Sequence, residues 1–304
     1  MKSESNLEKI LTSGRFAVTA ELAPPRSALK SAVEKTAGYL KDRVDAVNVS
    51  DNKSAVVRMS SIAAAKIIMD MGIEPVVQAV CRDRNRIAMQ SDLLGAAALG
   101  CRNLLCLTGD HQRFGNQPEA KNVFDIDSIQ MVAMVRKMRD EKKLLGGDGI
   151  DSDFPMFIGA VENPFADPFI ARVQRLGKKA AAGADFIQTQ CVFDLERFGK
   201  WMEGVRERGL DEKVFILAGV MPLTSAEMAE KINKNPLGFV VPDEIVGRLK
   251  DVPKEKQADE GVKICLELIA RIKEIKGIKG IHLMTADCEH LAPEIIERAG
   301  LARK

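Results

Sequence analysis

A single carboxylate ends the first hydrophobic segment that has the composition of a β-strand. Glu21 lies near the end of the run FAVTAEL at residues 16–22, and Pro24 and Pro25 follow almost at once. Proline has no backbone N–H and restricts φ, so this pair stops the strand just after the carboxylate. A glutamate fixed in this way can serve as a general acid or base, although an acid at a strand end is more often only a solvated residue.

Polar residues also end other β-like segments. They are Asn48 and Ser50 in the second run, Gln78 in the third, Thr108 and Asp110 in the fourth, Glu162 in the fifth, and Gln188 and Gln190 in the sixth. Side chains alternate between the two faces of a strand. In the fourth run this alternation sets Asp110 opposite Leu105 and Leu107, and we expect Asp110 to point inward. Several such residues together predict a polar pocket.

The β-like segments recur along the whole chain, each followed by a segment with helical periodicity. They are residues 16–22, 44–50, 73–81, 101–110, 154–162, 184–190, 213–221 and 280–286. The clearest helix is predicted at 262–276, where an apolar stripe lies opposite a charged one. Thr224 and Glu227 have the spacing of a capping box and predict the start of the helix after the seventh strand.

Eight strand–helix units in 304 residues predict an α/β fold, a single (β/α)8 or TIM barrel that occupies residues 1–304 as one domain. The alternative is a doubly wound sheet. It is disfavoured because no G-x-G-x-x-G motif follows the first strand and no Walker P-loop occurs. The active site of a barrel lies at the C-terminal ends of its strands, so the polar residues at the strand ends would converge there.

Two connections are longer than the others. Residues 108–127 after the fourth strand are polar and are predicted to form a functional loop, since long loops in compact domains are usually functional or disordered. Residues 224–276, between the seventh and eighth strands, are predicted to be an extended helical segment. Its charged part, residues 248–263, is expected to be a solvated loop and helix start.

The composition argues against several classes of function. The chain is 46% hydrophobic and 29% charged with a net charge of +2, which gives no reason to expect nucleic acid or an anionic membrane as a partner. No apolar run approaches the roughly 20 residues of a membrane helix, and residues 1–15 lack the apolar segment of a secretory signal. The six cysteines form no C-x-x-C pair. This is typical of reduced thiols in a cytoplasmic protein, and the spacing supports no metal site.

Five motifs, taken in order along the chain, are similar to those of a known family. They are AELAPPR at 20–26, LTGD at 107–110, AGADFIQTQCVFDLERF at 182–198, GVMPLTS at 219–225 and GIHLMTADCEHLAPEIIERAGL at 280–301. Together they resemble the methylenetetrahydrofolate reductase family, whose members are flavin-binding (β/α)8 barrels. The version found here looks like the short reductases of anaerobic, one-carbon-metabolising bacteria.

The resemblance implies an activity and the residues that perform it. The family reduces 5,10-methylenetetrahydrofolate to 5-methyltetrahydrofolate by hydride transfer from N5 of a reduced flavin, here FAD or FMN. By position, Glu21 would be the general acid and Asp110 a carboxylate close to the flavin. Gln190, and less directly Gln188, would bind the folate. The flavin-contacting positions would be Asn48, Ser50, Gln78, Thr108, Gly109, Asp110, His111 and Lys179.

This chemistry requires a particular protonation state of Glu21. Opening of the methylene bridge needs a proton at N10, and a general acid works best when its pKa is close to the operating pH. Burial at a barrel mouth disfavours the ionised carboxyl, and a second carboxylate nearby would disfavour it further. We therefore expect a raised pKa for Glu21, and we expect Asp110 to stabilise the positive charge of the opened 5-iminium form.

The electron donor and other barrel functions stay open at the level of the sequence. The donor would be NAD(P)H or an iron–sulfur partner subunit, with the chain in a homo-oligomer or a hetero-complex. A flavin-free, pterin-dependent methyltransferase would use the same folate pocket. An aldolase would need a Schiff-base lysine at an inward C-terminal strand position, and none of the eight runs has one.

Overall fold

The structure is a computed structural model that describes residues 1–234, 238–286 and 288–303. Eight strands pair in chain order, each parallel to the next, and the eighth pairs with the first to close the sheet. The strands are β1 (Ala17–Leu22), β2 (Ala46–Val49), β3 (Pro75–Val80), β4 (Asn103–Leu107), β5 (Phe157–Glu162), β6 (Phe186–Cys191), β7 (Phe215–Val220) and β8 (Ile278–Leu283). The predicted (β/α)8 barrel is therefore confirmed.

Each strand lies within or close to its predicted run, but most are shorter. Strand β4 ends at Leu107 because the chain then turns at Gly109, whose φ is +90°. Strand β8 begins earlier than expected, at Ile278. The pairing of β6 with β7 shifts register between Gln188 and Cys191, so Gln190 lies in an irregular part of that ladder.

Helices connect the strands around the outside of the barrel. They are α1 (Asn6–Thr12), α2 (Lys30–Gly38), α3 (Ser61–Asp70), α4 (Arg86–Ala98), α5 (Ser128–Asp140), α6 (Phe169–Ala182), α7 (Leu195–Glu207), α8 (Ala226–Lys234), α9 (Asp243–Lys250), α10 (Gln257–Lys273) and α11 (Ala292–Arg298). The predicted helical segment 224–276 thus contains α8, α9 and α10, with residues 235–237 outside the described part. None of these helices is long and apolar enough to cross a membrane, in the portion of the chain that is described.

The capping box predicted for α8 is wrong by one residue. The N–H of Met228 donates to Oγ of Ser225 at 3.0 Å, so Ser225 caps the helix. Thr224 instead points its hydroxyl at the sulfur of Met228, 3.5 Å away. Serine and threonine are both good capping residues, and the TS pair offered two adjacent candidates.

Helix α1, which the sequence analysis did not predict, closes the N-terminal end of the barrel. Leu7, Ile10 and Leu11 are buried there and pack with inward-facing strand residues. Among these residues, the rings of Phe157 and Phe186 stack with their centroids 5.1 Å apart. The lower part of the barrel interior is therefore a filled apolar core.

The phase of side chains along β4 is opposite to the prediction. Leu105 and Leu107 pack with the barrel interior, whereas Cys106 belongs to the core between the sheet and the helices. Asp110 is exposed in the loop beyond the strand. The expectation of an inward-facing Asp110 is wrong because β4 ends before the alternation reaches it.

The connection at 108–127 is a loop, as predicted. Within it, Gln112–Phe114 form a 3-10 turn. The loop ends at a capping box in which Asp127 and Gln130 exchange hydrogen bonds at the start of α5. This reciprocal pair fixes the point at which the irregular chain becomes helical.

The packing of the barrel interior can be tested by a substitution at Gly159. A Cβ built there would lie 2.2 Å from a ring carbon of Phe186. We predict that Gly159→Ala lowers the free energy of unfolding by about 1–3 kcal/mol, since overpacking strains a filled core. Gly199→Ala in α7, whose Cβ would meet nothing within 4 Å, should be neutral or stabilise by roughly 0.5–1 kcal/mol. Urea unfolding measures both, and a Gly159→Ala variant as stable as the wild type would contradict the packing described.

Candidate active site

A cavity of about 340 Å³ opens at the C-terminal ends of the strands. Its volume is within the range of small-molecule sites, roughly 300–1,000 Å³. Eight of the eleven predicted site residues line it: Glu21, Gln78, Thr108, Gly109, Asp110, Lys179, Gln188 and Gln190. Barrel closure therefore brings residues from distant parts of the sequence to one site.

Glu21 lies near the end of β1 and is 5% exposed. Lys53, from the loop after β2, donates a hydrogen bond to Oε1 of Glu21 and forms an ion pair with it. Burial alone raises the pKa of Glu21, but Lys53, His282 and Gln78 together outweigh burial and hold that pKa below the ordinary value of 4.5. The expectation of a raised pKa is wrong for this structure, because the charged neighbour is a cation and not a second carboxylate.

A chain of hydrogen bonds crosses the barrel beneath Glu21. Nδ2 of Asn48 donates to Oε1 of Gln188 at 2.8 Å, and Nε2 of Gln188 donates to Oδ1 of Asn48 at 3.1 Å and to Oγ1 of Thr19 at 3.2 Å. The Thr19 hydroxyl lies 3.0 Å from Nδ1 of His282. The same hydroxyl donates to the carbonyl oxygen of Ile281 at 3.3 Å and accepts from Gln188, so it links the imidazole to Gln188 across the barrel interior.

His282 is uncharged in this arrangement. It is 4% exposed, and burial lowers its pKa to about 4 although the carboxylate of Glu21 acts in the opposite direction. The ring lines the cavity beside Glu21. It therefore adds no positive charge to the site at neutral pH.

The two glutamines predicted to bind substrate differ in their contacts. The amide of Gln188 is engaged on both sides by Asn48 and Thr19 and forms part of the cavity floor. Gln190 is half-buried on the cavity wall, and its side chain makes no hydrogen bond with any residue that the structure describes. Gln190 is thus the one with amide groups available to a ligand.

Lys179 forms an ion pair with Glu162, whose side chain points out of the barrel toward helix α6. Glu162 ends β5 in phase with Ile158 and Ala160, which face the helices, and its carboxylate turns toward α6. Oε2 of Glu162 lies 2.7 Å from Nζ of Lys179, and both side chains are almost fully buried. Nζ also donates to the carbonyl oxygen of Val161. Lys179 is therefore held in place at the edge of the cavity.

Three cations of α6 line the cavity together. Arg172, Arg175 and Lys179 have the spacing of one helix face. Burial lowers the pKa of Lys179, Glu162 opposes this effect, and the two arginines lower the pKa further. Nε of Arg172 is buried and has no hydrogen-bond partner among the described residues. This wall is therefore complementary to an anionic ligand.

The loop after β4 forms the opposite rim. Oγ1 of Thr108 lies 3.1 Å from Oγ of Ser128, which ties the start of the loop to α5. Gly109 has a φ of +90°, and a Cβ there would press against the side chains that end β3. Nη1 of Arg82 donates to the carbonyl oxygen of Asp110 at 3.2 Å. The backbone of Asp110 is therefore fixed while its side chain stays exposed.

Three predicted flavin-contacting residues, all within the described ranges, do not line the cavity. Asn48 lies below it in the hydrogen-bonded pair with Gln188. Ser50 is 1% exposed, and its Oγ has no partner in the described structure. His111 is exposed and caps the 3-10 turn by accepting from N–H of Arg113 at 3.3 Å. Their contact with flavin stays a prediction.

The sequence analysis missed several residues that line the cavity, among them Lys53, Arg172, Arg175 and His282. His282 could have been found, because alternation along the eighth run places it on the inward face. The spacing of Arg172 and Arg175 relative to Lys179 was a second usable signal. Lys53 gave no signal, since its position depends on the conformation of a loop. Among the described residues, no group of three or more His, Cys, Asp or Glu side chains could hold a metal ion.

The sequence profile described as methylenetetrahydrofolate reductase matches residues 6–300. The chain belongs to the methylenetetrahydrofolate reductase family. Its relatives include a Salmonella typhimurium 5,10-methylenetetrahydrofolate reductase, 21% identical over 298 residues, with 95% of this chain and 92% of the relative covered. Methylenetetrahydrofolate reductase 1 of Schizosaccharomyces pombe is 27% identical over 241 residues, with 76% and 36% covered. Methylenetetrahydrofolate reductase (NADH) 1 of Zea mays is 28% identical over 135 residues, with 41% and 21% covered.

The chain spans about a third of the length of the first eukaryotic reductases it matches. Among solved structures, a Clostridium thermocellum protein that binds two copies of 5-methyl-5,6,7,8-tetrahydrofolic acid superposes with a TM-score of 0.64 at 14% identity, over 98% of each chain. An F420-dependent secondary alcohol dehydrogenase superposes with a TM-score of 0.54 at 13% identity, over 95% of this chain and 99% of the other. These similarities show a shared barrel fold.

His282 gives this member of the methylenetetrahydrofolate reductase family a pH-dependent stability. Its pKa is about 4 in the folded protein against an ordinary 6.5. Below pH 6.5 the unfolded chain binds a proton that the folded chain does not, so stability falls as the pH falls toward 4, by up to about 3 kcal/mol. Urea unfolding across this range should show a shallower fall for His282→Gln and a wild-type fall for exposed His290→Gln. Parallel curves for all three proteins would contradict the assignment.

Proposed function

We propose that this protein reduces 5,10-methylenetetrahydrofolate to 5-methyltetrahydrofolate and uses a bound flavin to do so. The observation that carries the proposal is Glu21, a buried carboxyl on the wall of a cavity of about 340 Å³, in a chain of this family. A general acid at this point and a glutamine with available amide groups, Gln190, are two of the groups that the reaction needs. The remaining requirement is a redox cofactor.

The donor set of the cavity fits a flavin nucleotide. FAD and FMN both carry phosphate, and Arg172, Arg175 and Lys179 line one wall with an excess of positive charge over Glu162. The buried Nε of Arg172, which has no partner in the described chain, is a donor that a phosphate oxygen can satisfy. We propose FAD as the cofactor, with FMN as the alternative.

The flavin, when bound, supplies the hydride that reduces the methylene carbon. Glu21 provides the proton at N10 of the substrate, because strand β1 holds its carboxyl buried on the cavity wall. Gln190 has both donor and acceptor groups and pairs with the amide edge of the pterin. Asp110 at the rim adds a negative charge that stabilises the cationic form of the opened substrate.

The electron donor that returns the flavin to its reduced state is a separate proposal. The maize relative is named for NADH, which supports a nicotinamide nucleotide as donor. An iron–sulfur subunit in a hetero-complex is the other source. Anaerobic mixing of the purified protein with NADH and with NADPH distinguishes them, since bleaching of the flavin by either nucleotide alone needs no partner.

The experiment that tests the function is the visible absorption spectrum of the protein, purified anaerobically, before and after addition of 5-methyltetrahydrofolate. Flavin bands that bleach on addition would support hydride exchange between the folate and the flavin. Mass spectrometry of the cofactor released by heat distinguishes FAD from FMN. A colourless protein that also fails to take up either nucleotide would exclude the flavin-dependent reaction.

Glu21→Gln tests the general acid. We predict that the variant retains flavin and loses folate turnover by roughly 10²–10⁴-fold, because the amide cannot supply the proton. Glu34→Gln, which removes only an exposed ion pair with Lys30, should keep the wild-type rate. Stopped-flow measurement of flavin oxidation by methylenetetrahydrofolate gives the rates. Turnover near that of the wild type in Glu21→Gln would remove Glu21 from the mechanism.

Arg172→Met tests the anion-binding wall. We predict a rise in the dissociation constant for the flavin of roughly 10- to 100-fold, the loss expected for a hydrogen bond to a charged group. Arg298→Met, which breaks an exposed ion pair with Glu294, is the matched control and should bind flavin normally. Fluorescence titration of the apoprotein measures both constants. Equal affinity in the two variants would place the phosphate elsewhere.

A further inference from the structure

The pairing of β6 with β7 contains one extra residue on β6. Gln188 pairs with Leu217, and the next pair is Cys191 with Gly219. Strand β6 thus advances three residues where β7 advances two. This is the geometry of a β-bulge, which interrupts the ladder, redirects a side chain and is over-represented next to active sites. Gln190 lies within the bulge, so its exact position depends on the contacts that hold the bulge in place.

The hydroxyl of Thr189 holds the bulge from within. Its Oγ1 accepts from N–H of Gly219 at 2.9 Å and donates to the carbonyl oxygen of Gln190 at 2.9 Å. Thr189 is 2% exposed, so solvent does not compete for either bond. Because threonine is branched at Cβ, its χ1 is restricted, and the hydroxyl has little freedom to leave this bridge. One side chain therefore ties the peptide of Gln190 to strand β7.

Gly219 leaves the space that the bulge occupies. A Cβ built there would lie 2.4 Å from the carbonyl oxygen of Thr189 and 2.8 Å from the carbonyl carbon and oxygen of Gln190. Gly219 does not have a positive φ, so the glycine serves the close approach of two backbones and not its own conformation. The hydroxyl on β6 and the missing side chain on β7 thus act on the same peptide.

We propose that Thr189 is a positioning residue for Gln190, whose backbone it fixes so that the amide is presented to the pterin of the folate. This inference rests on the proposed function and adds to it the means by which a substrate-binding side chain is kept in place. Gln188 is held by its own amide, which bonds to Asn48 and Thr19. The side chain of Gln190 makes no hydrogen bond within the described part of the chain, so it is free for a ligand and is positioned through its backbone.

A role through Gln190 differs from a role in stability in the kinetic constant that it changes. Gln190 pairs with the pterin in the ground state and in the transition state, so its displacement weakens both equally. Loss of such uniform binding raises KM and leaves kcat unchanged. A hydroxyl that served stability alone would change the fraction of folded enzyme, which lowers the apparent kcat and leaves KM unchanged.

Thr189→Val removes the hydroxyl at nearly the same side-chain volume. KM for methylenetetrahydrofolate should rise roughly 3- to 10-fold at constant kcat, the loss expected for one neutral hydrogen bond. Thr189→Ser keeps the hydroxyl and should stay within about twofold of the wild type in both constants. Thr12→Val, which removes a hydroxyl bonded to the carbonyl oxygen of Glu8 in α1, is the matched control and should change neither. A wild-type KM in Thr189→Val would overturn the proposal, as would a lower kcat at constant KM.

Gly219→Ala tests the same bulge from β7 and keeps the hydroxyl. The added Cβ must displace the peptide that joins Thr189 to Gln190, so KM should rise while kcat is retained. Gly199→Ala, whose Cβ would meet nothing within 4 Å, is the control. This variant also decides the question if Thr189→Val fails to fold. An unchanged KM in Gly219→Ala would show that the bulge does not position the glutamine.

A double variant tests whether Thr189 acts through Gln190. Gln190→Leu removes the amide and sets the largest loss of folate binding that Thr189 can cause through it. The double variant Thr189→Val, Gln190→Leu should therefore have the KM of Gln190→Leu alone, because the effects of residues that act as one unit do not add. KM ratios that multiply would show that Thr189 acts independently of Gln190 and would refute the proposal.

A measurement without substrate separates this proposal from the proposed function. In protein labelled with ¹⁵N-glutamine, the side-chain amide resonance of Gln190 is assigned by its loss in Gln190→Leu. Thr189→Val should shift this resonance, and Thr189→Ser should leave it in place. A resonance that Thr189→Val does not move would refute the positioning role, whether or not the protein reduces folate. A resonance that moves in Thr189→Val but does not respond to 5-methyltetrahydrofolate in the wild type would support the positioning of Gln190 and overturn the proposed function.

Discussion

Closure of the eight-stranded sheet is the constraint on which the site depends. In a closed barrel every second residue of each strand points inward, so the chemistry of successive interior layers decides where a ligand can bind. The lower layers are apolar and filled, with the stacked rings of Phe157 and Phe186 sealed by α1. The layer above contains the reciprocal amide pair of Asn48 and Gln188. The cavity thus rests on a hydrogen-bonded polar floor, which keeps Glu21 near groups that can orient it.

Much of the fold could be predicted because strand periodicity and barrel topology are local signals that repeat eight times. The exceptions have local causes. Helix α1 has only seven residues, and its apolar side chains gave too short a pattern. The phase of β4 was misjudged because Leu105 and Leu107, which face the apolar barrel interior, were placed on the outward side, and Asp110 was treated as part of a strand that ends at Leu107. An extended run and the first residues of a loop have the same composition, so the sequence alone does not mark that boundary.

The candidate site could be predicted where a residue's position follows from its strand. Glu21, Gln78 and Gln190 are of this kind, and all three line the cavity. The electrostatics could not be predicted. The pKa of Glu21 depends on Lys53, and that contact depends on a left-handed turn at non-glycine residues, for which no sequence pattern exists. A burial argument applied to the carboxyl alone therefore gave the wrong direction.

Two carboxylates of the cavity, Glu162 and Glu21, have lysine partners, and the two pairs differ in how deeply the lysine is buried. Glu162 and Lys179 are 1% and 4% exposed, so neither can lose the other without leaving a buried charge. That pair has one stable arrangement. In the pair of Glu21 and Lys53 only the carboxylate is buried, and the ammonium has water within reach. Burial alone would raise the pKa of Glu21, and the charge of Lys53 contributes to holding that pKa below 4.5. The protonation state of the carboxyl therefore depends on its neighbours and not on burial alone.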